Sequence, residues 1–339
     1  YKNLTAARLK PGYRHLIKAG TTITTGAGDP WLSIPNSATA KSPIIIGRYG
    51  DAHTANPIIN GAASTKVIRG ATGAKNWRLR DLEIIGPQSG ATRLAVSQQS
   101  VDAVADQDTS YNIIISNCKI HNVTTDGASD CNGIKLYGAD NKILNCEIYD
   151  IATDAIWFHG FRTLVAGCKI YKVAQDGRNA GDCIQCGAKS DGSIIRGNWL
   201  DHFEVDIKQC IYFEQTVSIS DNVLIEDNYC VSADGTAGAA GPITCGATNS
   251  VVRRNFCKGG YVVILVGQNS MAHHNVVVST VGRGIDCKTG ARVFNNTIIQ
   301  IGNDTTQSWS VGIRGQSGDT GIVVANNVLI GQYNGILCA

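Results

Sequence analysis

The chain is short of methionine, proline, charge of one sign and long apolar runs, and each shortage excludes something. No apolar stretch approaches the roughly 20 residues of a bilayer-spanning helix, so no membrane insertion is expected. No secretion signal stands at the start. Methionine occurs once, at Met271, so Tyr1 is not a natural start and the chain is expected to be a fragment or mature core of something longer. The 30 Lys and Arg against 27 Asp and Glu leave a formal +3, scattered along the sequence, which argues against nucleic acid as a partner. Leucines do not recur at fixed offsets and apolar residues follow no helical period, which excludes leucine-rich and helical repeats. Neither a Pro- or Ser-rich linker nor a composition break divides the 339 residues, so one domain is expected.

What is present is a repeat. Nine short phrases recur between residues 116 and 330, among them Asn117-Cys118-Lys119-Ile120, Asn145-Cys146-Glu147-Ile148, Asp227-Asn228-Tyr229-Cys230 and Asn295-Asn296-Thr297-Ile298. At the Cys/Asn position (118, 146, 168, 198, 228, 255, 275, 296, 327) the steps are 28, 22, 30, 30, 27, 20, 21 and 31. A minimum step near 20 with variable additions means one structural rung repeated, with loops inserted on one side. The rungs hold short runs of Val, Ile and aromatics punctuated by Gly, Asn and Asp, the pattern of strands and turns.

A second repeated strand includes Gly133-Ile134-Lys135-Leu136-Tyr137, Ala155-Ile156-Trp157-Phe158-His159, Cys183-Ile184-Gln185-Cys186-Gly187 and Cys210-Ile211-Tyr212-Phe213-Glu214. It alternates apolar with variable or polar positions, as a sheet with one buried face requires. Stacked copies predict an all-β fold, a single-stranded parallel β-helix. Residues 1–75 would form the N-terminal cap and opening rungs, and 76–339 the regular rungs.

Twelve cysteines suggest disulfides or a metal site, but the register argues for neither. Cys186, Cys245, Cys287 and Cys338 take an inward strand position, shared with Leu136, Phe158, Phe213 and Leu265. Cys118, Cys146 and Cys168 take a turn position that Asn fills in later rungs. They read as small buried hydrophobes, with no metal and no cofactor expected. Equivalent residues in neighbouring rungs lie about 4.8 Å apart. Asn198, Asn228, Asn255, Asn275, Asn296 and Asn327 should therefore chain their amides along the axis. In the next column Lys119, Glu147 and Lys169 should alternate in charge, and Trp199, Tyr229 and Phe256 should stack.

The opening stretch, Leu9-Lys10-Pro11-Gly12, Ile17-Lys18-Ala19-Gly20-Thr21-Thr22-Ile23 and Lys41-Ser42-Pro43-Ile44-Ile45-Ile46-Gly47-Arg48-Tyr49-Gly50, resembles that of pectate-lyase-like right-handed parallel β-helix proteins. Within that superfamily the chain looks most like bacteriophage tailspike depolymerases. The resemblance implies a right-handed coil, which crossover chirality also favours, and a short capping helix, for which Asn3 to Leu9 would fit. It further implies action on polysaccharide and a homotrimer.

The outward columns locate a candidate site on the four rungs from 132 to 216. The third-position column reads Lys135, Trp157, Gln185, Tyr212, Thr244, Ile264, Asp286 and Arg314. The fifth reads Tyr137, His159, Gly187, Glu214, Gly246, Val266, Lys288 and Gln316. Gly246, Ile264 and Val266 make the groove plain beyond residue 216. The catalytic candidates are Asp154, Asp182, Glu214 and His159. Lys135, Tyr137, Trp157, Gln185 and Tyr212, with Glu204, Asp206 and Lys208 from a flanking loop, are the candidates for binding sugar. Glycoside hydrolysis needs two carboxylates about 5–9.5 Å apart, and Asp154 and Asp182 share a column one rung apart. A lyase would use a base such as Lys135 or Lys208.

Three functions fit. One is a tailspike-like depolymerase hydrolysing a bacterial surface polysaccharide. The second is a non-catalytic structural or receptor-binding β-helix. The third is a secreted lyase acting on uronate polymers. The expected location is a virion tail or the cell exterior.

Overall fold

The computed structural model describes residues 8–26, 30–88, 92–98, 110–124, 130–174, 181–187, 189–202, 208–213, 219–233, 241–280, 282–301, 311–331 and 335–338. They are built from short strands joined by bends, and the chain divides into two compact units, Tyr1–Ala180 and Gly181–Ala339. In each unit a rung contributes one strand to each of three parallel sheets, here called the first, second and third faces. In the first unit these hold six, six and five strands; in the second, six, six and seven. Three parallel faces visited in turn make a parallel β-helix, the fold that the rung spacing predicts.

The bend between the first and second faces explains the repeated phrase. The residue before each Cys or Asn of the ladder takes a left-handed backbone: Asn117 (φ 51°), Asn145 (φ 52°), Gly167 (φ 66°), Asp227 (φ 58°) and Asn295 (φ 56°) among them. Asn, Asp and Gly tolerate that conformation best. Arg254 (φ 54°) adopts it with its guanidinium clamped on Asp227, Nε to Oδ1 at 2.7 Å.

The next side chain turns inward and meets its equivalent in the neighbouring rung. Asn198 Nδ2 donates to Asn228 Oδ1 at 2.9 Å, and the pattern repeats from Asn228 to Asn255, Asn275, Asn296 and Asn327 at 2.9–3.0 Å. Backbone amides join the same acceptors, as Asn255 N does on Asn275 Oδ1. The ladder thereby satisfies turn groups that burial would otherwise strand. In the first unit Cys118, Cys146 and Cys168 fill this column, and the Cys146 sulfhydryl donates to the Leu144 carbonyl. The cysteines Cys118 to Cys287 are all free and buried, as the register predicts. Burial pushes the Cys183, Cys186, Cys210 and Cys230 thiols well up from their ordinary range, so they stay protonated packing groups.

On the second face, Lys119 pairs with Glu83 at 3.9 Å and Lys169 with Glu147 at 3.8 Å, forming the alternating charge column. Trp199, Tyr229 and Phe256 stack with centroids 6.4 and 5.0 Å apart. The core is a set of apolar columns, such as Ile46, Leu79, Ile115, Ile143 and Val165 in the first unit. Each such fully buried side chain contributes about 1.5–3 kcal/mol.

Two expectations change. No α-helix occurs among the described residues; most of the Asn3 to Leu9 cap lies outside them, and Leu9 itself is a buried coil residue. The register on the third face also shifts by one residue in one rung. Ile243 pairs with Ile264 and Thr244 with Leu265, so Ile264 and Val266 point into the core while Leu265 points outward. The uniform run Val262-Val263-Ile264-Leu265-Val266 carries no alternation of its own. The neighbouring rungs set its register, and the two consecutive buried residues Val263 and Ile264 displace the phase.

Candidate functional site

On the third face of the first unit, the strands Asp130–Tyr137 and Ile156–His159 pair in parallel, matching Lys135 with Trp157 and Tyr137 with His159. Ile134, Leu136, Ile156 and Phe158 are fully buried, which forces the four alternate side chains outward, where they are half-buried. They form one cluster. The Lys135 ammonium lies 4.9 Å from the Trp157 ring centroid, and the Tyr137 ring lies 5.1 Å from Trp157 and 6.2 Å from His159. Gly138 (φ 89°) and Gly160 (φ 152°) end these strands, where a Cβ would strike the Ser110 or Gly138 carbonyl. The turns therefore begin directly after Tyr137 and His159 and hold both at the edge of the face.

The polar column continues through earlier rungs. Lys135 pairs in register with Ser97, and Ser97 with Arg69. Arg69 Nε and Ser97 Oγ are buried with no hydrogen-bond partner among the described residues. Sequence reading missed both, because a clear third-face phrase begins only at Gly133.

The carboxylate candidates occupy a different environment. Asp154 is 8 % exposed, and its amide donates to Asn132 Oδ1 at 3.3 Å. Within the second unit, Asp182 is 3 % exposed and its Oδ1 accepts the Gln209 amide at 2.8 Å. Asn132 and Asp182 thus receive a backbone amide from the rung that follows, a turn-capping task. Gln185 pairs with Tyr212, and both are half-buried on the third face, as is Lys208 at the edge of its loop. Glu204, Asp206 and Glu214 lie outside the described residues.

Further along the third face of the second unit lies a charged cluster that sequence reading left out of the site. Asp286, only 1 % exposed, receives Arg314 Nε at 3.1 Å and Nη2 at 2.7 Å, and Arg283 Nη1 at 3.1 Å. The Arg283 guanidinium also covers the Tyr261 ring at 5.0 Å. Asp286 and Arg314 stood in the outward columns and Arg283 and Tyr261 did not, and the shifted register at Leu265 made their neighbourhood look featureless.

No protein-family profile matches the chain, and no curated protein matches it. Solved structures do. The A-module of the Azotobacter vinelandii mannuronan C-5 epimerase AlgE4 superposes with a TM-score of 0.70 at 11 % identity, covering 96 % of this chain and 88 % of that one. A mannuronic acid specific polysaccharide family 6 lyase from human gut microbiota gives 0.62 at 12 % identity, covering 96 % and 79 %. The Dettilon tailspike protein gives 0.61 at 12 % identity, covering 96 % of this chain and 61 % of the tailspike. At such identities the likeness is one of fold alone, the parallel β-helix that the three sheets form.

Proposed function

We propose that the chain is a polysaccharide-processing enzyme that cleaves a uronate polymer by β-elimination at the Lys135, Tyr137, Trp157 and His159 cluster. The observation that carries this reading is the grouping of an ammonium, a phenol and an imidazole around one half-exposed indole. The indole offers a face for the C–H surface of a sugar ring. Lys135 offers the charge that pairs with the uronate carboxylate, which lowers the cost of removing the neighbouring proton. His159 takes H-5 from the ring carbon. The C–H electron pair becomes the C4=C5 double bond, the C4–O glycosidic bond breaks, and Tyr137 gives a proton to the departing oxygen. Water is not consumed. The mannuronan C-5 epimerase and the mannuronic acid specific lyase that share the fold support the substrate class.

His159→Gln and Tyr137→Phe should each lower kcat on mannuronan by about 100-fold or more with unchanged thermal stability. Full activity in both variants would remove the site from the chemistry.

A tailspike-like hydrolase is the second reading, favoured by the likeness to the Dettilon tailspike. It would place a homotrimer on a virion and use Asp154, Asp182, Glu214 and His159. Asp182 is engaged with the Gln209 amide and both aspartates are nearly enclosed, which ranks it behind elimination. In either case the working location is a virion tail or the cell exterior.

A further inference from the structure

We propose that the third face of the second unit carries a separate binding site for a carboxylate-bearing sugar, with Lys288 as its anion partner and Leu265 as its apolar wall. A groove of about 300 Å³ opens there between Leu265, Ile219, Thr248, Gln268, Lys288 and Asp319. That volume lies at the lower end of small-molecule sites, which run about 300–1,000 Å³. Its origin is local. Val266 pairs with Cys245 and Cys287, so the residues that follow them (Gly246, Gly267 and Lys288) occupy one column of neighbouring rungs. Gly246 and Gly267 add no side chain to the column, and a Cβ at Gly267 would strike the Ala247 carbonyl at 2.1 Å. Lys288 therefore neighbours a position where the fold admits no side chain.

The lining has the composition that a sugar acid needs. Leu265 and the exposed Ile219 present apolar surface, while Thr248 and Gln268 offer hydrogen bonds to hydroxyls. Lys288 is held in place by a hydrogen-bonded chain. Its Nζ donates to Gln316 Oε1 at 2.5 Å, Gln316 Nε2 lies 3.5 Å from Asp286 Oδ2, and Asp286 is fixed by Arg283 and Arg314. An ammonium has three donors, so two remain for a ligand. Asp319 Oδ1 is already occupied by the Thr289 amide and hydroxyl at 3.0 and 2.9 Å. Asp286 is matched by Arg283 and Arg314, and Asp221 Oδ1 accepts the Thr248 hydroxyl at 2.9 Å, so Lys288 is the cation in the lining, and its ammonium favours an anion over a neutral sugar. The site is additional to the Lys135 cluster and does not depend on that cluster being catalytic.

The test is a methyl NMR titration of the full chain labelled at Ile and Leu methyls, with cellobiouronic acid as the acidic probe and cellobiose as the neutral one. Saturable shifts of the Leu265 and Ile219 methyls with the acid are expected, about tenfold weaker with cellobiose, one charge-assisted hydrogen bond being worth that much. Lys288→Met should abolish this preference and Thr248→Val should weaken both probes. Lys135→Met should leave the Leu265 shifts intact, which separates this site from the elimination reading. Absence of Leu265 and Ile219 shifts in the wild type, or equal response to both probes with no change in Lys288→Met, would overturn the proposal.

Discussion

Lys135 and Trp157 stand in register on neighbouring strands, and the lysine ammonium sits 4.9 Å from the centroid of the indole. The pair places a positive charge and a flat apolar surface on one strand spacing, with Tyr137 and His159 two residues along the same strands. Buried Ile134, Leu136, Ile156 and Phe158 beneath them fix that arrangement.

Trp157→Ala should raise the Kd for a mannuronate oligosaccharide by about tenfold, since stacking and cation–π contacts at partly exposed sites are each worth roughly 0.5–1.5 kcal/mol. Isothermal calorimetry reads the change. Trp157→Phe should recover part of it, because a smaller ring still offers a face.

Asn255 should be a costly residue to change. Its side chain donates to the Ile225 and Arg253 carbonyls and to Asn275 Oδ1, and accepts from the backbone and side-chain amides of Asn228. Asn255→Ala should cost about 2–4 kcal/mol by leaving several buried groups unpaired. Asn255→Asp should cost at least as much, because a carboxylate cannot donate to Asn275. Urea denaturation measures both.

Asp286→Asn should destabilise by about 3 kcal/mol, the usual consequence of removing one partner from a buried ion pair, since Arg283 and Arg314 would then share a neutral amide. The same variant should loosen Gln316 and lower acidic-sugar binding at Lys288 without altering turnover at the first-unit cluster.

Acid should destabilise the chain partly through His273. Burial, then neighbouring His274, Arg253 and Arg254, hold its pKa below the ordinary 6.5. A depressed histidine contributes stability that is complete above its unfolded pKa and is lost as the pH falls through 6.5 toward its folded value. The melting temperature should be flat above pH 6.5 and decline below it, with a shallower decline in His273→Phe, which keeps the stack on Phe294.

Much of this was legible in the sequence because the β-helix repeats its constraints. Asn198 through Asn327 and Lys119 through Lys169 each sit at a fixed place in the phrase, so their ladders could be written down from spacing alone. Lys135 and Trp157 could be paired for the same reason. The register at Leu265 could not, because Val262 to Val266 are all apolar and alternation leaves no trace in a uniform run. That single shift concealed the groove beside Lys288. Nor does a sequence distinguish an aspartate that caps a turn from one that faces substrate. Asp182 is spent on the Gln209 amide, a contact that arises from the following rung rather than from any local pattern.

The most direct test is the product of incubating the full chain with mannuronan, followed by ultraviolet absorbance for unsaturated uronate and by reducing-end assay. Unsaturated ends and reducing ends should appear in equal number, and both should fall about 100-fold or more in His159→Gln. Reducing ends without unsaturation would mean hydrolysis, and binding with no cleavage of any acidic polysaccharide tried would mean a non-catalytic β-helix. Either result would contradict elimination at the Lys135, Tyr137, Trp157 and His159 cluster.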